Sequence, residues 1–260
     1  MASLKLMFFA AHSLASKECS TTFYNALDDW DFPPDRYGEY EPIRTNWANS
    51  EKFLGSWRKQ GSQVFGQVLV RRSTPPKYYA DAIFLYGPRA NYHTVSMYDL
   101  PETLGKEGHV IRLVGLADRL FQELQLDYGF ICLDSEYDHK NILKNYEHDD
   151  GSIEPRKVVG MNWPTCLPGL YWINYFGGAY LNQGFGNSVQ TRHPESVTVL
   201  KNGLRFQARG SAQEFDSPDS EAQEQAIKEE LGSDWFFSSK TDGPLTGLNV
   251  SLEELKRLPF

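Results

Sequence analysis

Between Val110 and Leu126 the residues Leu113, Leu116, Ala117, Leu120, Phe121 and Leu124 recur at three- and four-residue spacing, the stripe of a helix with one buried face. That face must be covered, and the segments around it read as strands. Leu4–Ala10 and Tyr128–Leu133 are apolar runs of strand length, and Val64–Val70 alternates with period two. Ala80–Tyr86 and Tyr92–Tyr98 flank a Gly87-Pro88 turn, which favours an antiparallel pairing. Leu170–Phe176, Ser188–Gln190, Val197–Leu200 and Leu204–Ala208 extend the series, the last two joined across Lys201-Asn202-Gly203, a hairpin signal.

The other helices have recognisable ends. Ser16–Trp30 repeats Phe23, Ala26, Leu27 and Trp30 at helical spacing, and Asn49 or Ser50 can cap a short helix carrying Phe53, Leu54 and Trp57. Ser217-Pro218-Asp219 introduces a charged helix over Glu221–Leu231 that Gly232 ends. Glu136–Tyr146 reads as a polar helix or turn, 148–157 as an exposed loop, and 251–258 as a last short helix. Strands outnumber helices, and each long helix adjoins a strand. The expectation is an α+β protein, a mixed or mainly antiparallel sheet packed against helices. One domain spans 1–260, with 1–75 and 76–260 as possible related strand-and-helix sub-domains around the Pro75-Pro76 loop.

Charge narrows the function classes. A formal net charge of -8 works against binding DNA or RNA, where affinity comes mostly from neutralising phosphates. A cationic protein is the better match. Cys19, Cys132 and Cys166 form no Cys-x-x-Cys pair and are odd in number, which points to a reducing compartment. The opening MASLKLMFFAAHSLAS imitates a signal peptide, but His12 interrupts its apolar stretch. No apolar run approaches the roughly 20 residues of a membrane helix. A cytoplasmic protein without a membrane partner is therefore expected.

Catalytic motifs are scarce. The sequence has no Gly-x-x-x-x-Gly-Lys, His-Glu-x-x-His or Gly-x-Ser-x-Gly. Gly184-Phe185-Gly186 begins a dinucleotide-type pattern, but Val189 stands where its third glycine belongs. Glu254-Leu255-Lys256 is read as an exposed ion pair. Asp138-His139 and His148-Asp149-Asp150 have the donor types of a metal site, so a metal-dependent hydrolase using His139 and His148 is the alternative reading. Solvated loop residues are the favoured one, and no catalytic residue, metal or cofactor is assigned. Asp134, Glu136, Asp138, Glu147, Asp149 and Asp150 cluster against only Lys140 and Lys144, and a second acidic stretch covers 214–234 with only Lys228. Such charge steers a cationic partner during association, and the first cluster is the candidate partner-binding set.

The segment LPGLYWINYFGGAY (167–180) reads as an approach bent at Pro168-Gly169, then a strand, then a Gly177-Gly178 turn into a short helix. Its alternation assigns Leu170, Trp172, Asn174 and Phe176 to one face and Tyr171, Ile173 and Tyr175 to the other. A packing role is expected, since no Lys, Ser or Thr stands at the helix start to hold an anion. LPGLYWINYFGGAYLNQGF resembles the late motif of the immunity protein 52 family, and SKECSTTFYNALDDW after the first strand is similar to that family's opening. Phe9-Ala10-Ala11-His12 stands in place of the family's Trp-Gly-x-Arg element. The resemblance implies a non-catalytic α+β immunity protein that binds and neutralises a cognate toxin, often a nuclease delivered by type VI secretion. Nuclease clefts are basic, so an acidic inhibitor suits that role.

Overall fold

The central strand β1 (Ser3–Ala10) alternates buried and half-buried residues along its first half and is buried throughout its last three. It lies between β6 (Asn91–Pro101) and β7 (Tyr128–Leu133), antiparallel to both. The computed structural model describes residues 2–48, 50–86, 91–105, 109–147, 150–158, 163–164 and 166–237. Among them, one ten-stranded sheet is completed on the β7 side by β10 (Ile173–Gly177), β12 (Gly203–Gln207) and β11 (Val197–Leu200). The β6 side adds β5 (Tyr78–Tyr86), β4 (Phe65–Arg72), β2 (Arg36–Gly38) and β3 (Thr45–Asn46). Each neighbouring pair is antiparallel, and β4 continues into β5 within this sheet across residues 73–77.

Period-two alternation gives each strand two faces, and separate apolar cores form on them. On the first, Leu4, Leu6, Phe8, Ala82, Val95 and Ile131 meet three helices. These are α1 (Lys17–Asp29), α2 (Ser50–Gly61) and α3 (Val110–Glu123). Ser16 starts α1 by accepting a hydrogen bond from the Cys19 amide at 3.1 Å, and α3 buries Leu113, Leu116, Ala117, Leu120 and Phe121. Where β1 faces β7, Phe8 lies opposite Gly129, and a Cβ there would sit 2.0 Å from the Phe8 ring. The glycine is needed for that approach.

The second core is aromatic: Phe9, Tyr128, Phe130, Tyr171, Phe176 and Tyr180 stack around β7 and β10, with Phe130 and Tyr171 ring centroids 3.9 Å apart. It is covered by α4 (Asp134–Asn141), α5 (Gly178–Asn182), α6 (Phe185–Arg192) and α7 (Pro218–Leu231). On the β4–β6 half of this same face, Leu69, Asp81 and Ile83 remain only half-buried.

Several local expectations change. Ser188–Gln190 belongs to α6, because Phe185 and Val189 are one helical turn apart and both buried. The polar segment after α4 becomes β8 (Ile142–Glu147), which pairs with β9 (Ile153–Val158) in a separate hairpin, so the expected loop holds a strand. Main-chain pairing defines this hairpin. Trp172 joins the first core together with Ile173 and Tyr175, and Tyr171 joins the second with Phe176. Alternation fails there because the chain bends before β10: Asn174 accepts from the Tyr171 amide and donates to the Tyr171 carbonyl, both at 2.8 Å. The Gly87-Pro88 turn and 251–258 lie outside the described residues.

Asp127 joins the two halves of this arrangement. Its carboxylate accepts from the Ala11 amide at 2.8 Å, and its carbonyl accepts from the Gly177 amide at 2.8 Å. Burial, at 5% exposure, raises its pKa to about 7, against the opposing pull of the Ala11 hydrogen bond. Raised above its unfolded value, this acid holds its proton in the native state between pH 3.8 and about 7. Its contribution therefore favours folding most at low pH and declines as pH climbs through that window, by as much as about 4 kcal/mol for a shift of this size. Urea titrations of the native chain and Asp127→Asn from pH 4 to 8 should show the gap between them changing across that window. A constant gap would contradict the assignment.

Candidate partner-binding groove

Helix α4 places its acidic residues on opposite sides. Asp134 and Asp138, four apart, share a face, and Glu136 points the other way. Glu136 is 0% exposed: its Oε1 accepts from Arg209 and, at 2.7 Å, from Lys140. Lys140 also reaches the Leu170 carbonyl and, at 2.5 Å, Glu224 of α7. The Glu136 charge is therefore spent inside the fold, tying α4 to α7 and to the approach to β10.

The other face of α4 borders a groove of about 420 Å³ over β1, β5 and β6. Asp81, Ile83, Thr94 and Ser96 form its floor, and Lys5 and Met7 of β1 form one side. A bulge shapes the opposite end. Leu4 pairs with Leu100 but Leu6 with Met97, so Lys5 faces both Tyr98 and Asp99, and Asp99 takes φ 57 to make room. The extra residue turns Tyr98 and Asp99 both to the groove. The Tyr98 ring stacks on Tyr79, with centroids 5.8 Å apart.

Among the described residues, four carboxylates line this groove against the single ammonium of Lys5. Lys5 bonds Asp134 at 3.1 Å and lies 3.9 Å over the Tyr137 ring. Asp81 accepts from the Ser96 hydroxyl, yet burial dominates and raises its pKa to about 6. Asp99 and Asp138 are exposed at the rim. Thr94 is 4% exposed and its hydroxyl has no hydrogen-bond partner among the described residues, although backbone alternation directs it to the groove side.

Glu147 ends β8, Asp150 is exposed in the turn that follows and accepts from the Ser152 amide at 2.8 Å, and Asp149 lies outside the described residues. His139 is exposed on α4, and His148 is outside the described residues. Among the described residues, no group of three or more His, Cys, Asp and Glu is placed to hold a metal ion, and no helix is long and apolar enough to cross a membrane. Sequence reading missed Lys5, Asp81, Thr94, Ser96, Tyr98 and Asp99. Period two already put Asp81 opposite the apolar Ala80 and Ala82, but which strands would meet was not visible.

No protein family matches the sequence, and no curated protein does. The fold does have a counterpart. It is similar to a solved structure, the Pseudomonas aeruginosa T6SS protein PA0821, at TM-score 0.58 and 11% identity, covering 99% of this chain and 84% of that one. At that identity the likeness establishes a shared fold, here extending over nearly the whole chain.

Proposed function

We propose that this chain is a non-catalytic immunity protein that binds and neutralises a toxic effector of a type VI secretion system, acting in the cytoplasm. The observation that carries the reading is the fold likeness to a T6SS protein across 99% of the chain. One other agrees with it: a net charge of -8 with carboxylates gathered beside α4. An acidic surface suits a basic target, and a nuclease effector is the natural one because its cleft must hold phosphates. Within the acidic set, Asp134, Asp138 and Asp150 supply the field, and Glu136 supports the helix that presents the first two.

The test is binding to a candidate type VI effector, sought first among the products of the genes that flank this chain's own. Association measured by stopped-flow fluorescence should be fast at low ionic strength and fall by at least about tenfold as salt screens the charges, with a much smaller change in dissociation. No complex at micromolar concentrations, or an association rate indifferent to salt, would contradict the proposal.

A further inference from the structure

The groove beside α4 has the chemistry of a receptor for one cationic side chain. Lys5 already displays the local preference, since its ammonium pairs with Asp134 and caps the Tyr137 ring. That single cation leaves most of the negative charge uncompensated. Independent of the charge, the Thr94 hydroxyl is buried on the groove side without a hydrogen-bond partner among the described residues. An unpaired buried hydroxyl is costly, and a ligand with several donors relieves that cost.

Resting on the effector-binding reading, we propose that this groove receives an arginine side chain of the bound partner, its guanidinium held by Asp81, Asp99 and Asp138 and its edge reaching Thr94. Arginine matches the site better than lysine does. Its five N–H donors spread in a plane can address separated carboxylates and a hydroxyl together, and its flat face can lie against Tyr98. The bulge opposite Lys5 is the device that makes this possible, because it adds Asp99 to a rim that regular pairing would have left one carboxylate short. The 420 Å³ volume lies in the range of pockets that enclose small ligands.

N-acetyl-arginine amide and its neutral isostere N-acetyl-citrulline amide are the probes, titrated into the ¹⁵N-labelled full chain. The arginine compound should produce saturable shifts at the Lys5, Thr94 and Ser96 amides, and citrulline should bind at least about tenfold more weakly for lack of the charge-assisted contacts. Asp99→Asn with Asp138→Asn should abolish the arginine response and leave the spectrum folded, since both residues are exposed and Asn tolerates the left-handed backbone at position 99. Thr94→Val, close in shape, should weaken it severalfold. Equal responses to both probes, or an arginine response unchanged in the double variant, would overturn the assignment.

Growth protection against the candidate effector separates this failure from that of the parent reading. Protection by the native chain and equally by the double variant removes the groove and leaves neutralisation standing. Saturable arginine binding by a native chain that does not protect removes the immunity partner from the assignment.

Discussion

Glu136→Ala should destabilise the protein by about 3–5 kcal/mol, the range for breaking a buried ion pair from one side. The substitution leaves the buried Arg209 with the Leu170 carbonyl, at 3.4 Å, and the more distant Glu224 carboxylate, at 3.7 Å, and removes one of the carboxylates that hold Lys140. It also loosens the segment before β10, because the Leu170 carbonyl accepts from Lys140 and the Leu170 amide donates to Glu224 at 3.1 Å. Replacing Glu136 and Arg209 together by Leu and Met should recover much of the loss, since an apolar pair leaves no uncompensated charge. Urea midpoints of the three chains measure this directly. A midpoint for Glu136→Ala within error of the native chain would show that the network carries no stability.

The same network sets an acid limit. Burial alone would raise the Glu224 pKa, but the Lys140 and Lys228 charges and their hydrogen bonds prevail and pull it below the ordinary glutamate value of 4.5. With its native value depressed, Glu224 contributes stability above pH 4.5 and loses that contribution as pH falls through the lower, native value.

Trp172→Ala should cost a similar amount, about 3–5 kcal/mol, through lost transfer energy and the cavity left behind. The ring is 1% exposed in the first core and lies against the turn at Gly105, where a Cβ would stand 3.7 Å from it. Thermal unfolding should show a lower midpoint with effector binding retained below it. A variant that unfolds like the native chain but no longer binds would place Trp172 in the interface, contrary to its position in the core.

Short-range pattern made much of the fold legible. The stripe on α3, the run in β7 and the Ser217-Pro218-Asp219 start of α7 are each set by residues within one or two turns. β2 and β3, three and two residues long, are too short to carry a period. The bend that moves Trp172 into the first core depends on the side chain of Asn174, which a count of alternating residues ignores. The site was half legible for a similar reason. Four-residue spacing joins Asp134 to Asp138, but the burial of Glu136 depends on Arg209, 73 residues away. The groove requires β1, β5 and β6 to lie side by side with a bulge opposite Lys5, an arrangement no local window contains.

The central claim is neutralisation of an effector, and growth under co-expression tests it most directly. Cells making the candidate type VI effector should stop growing alone and grow normally when this protein is produced with it. Growth arrest that persists despite soluble, folded protein in excess would contradict the account.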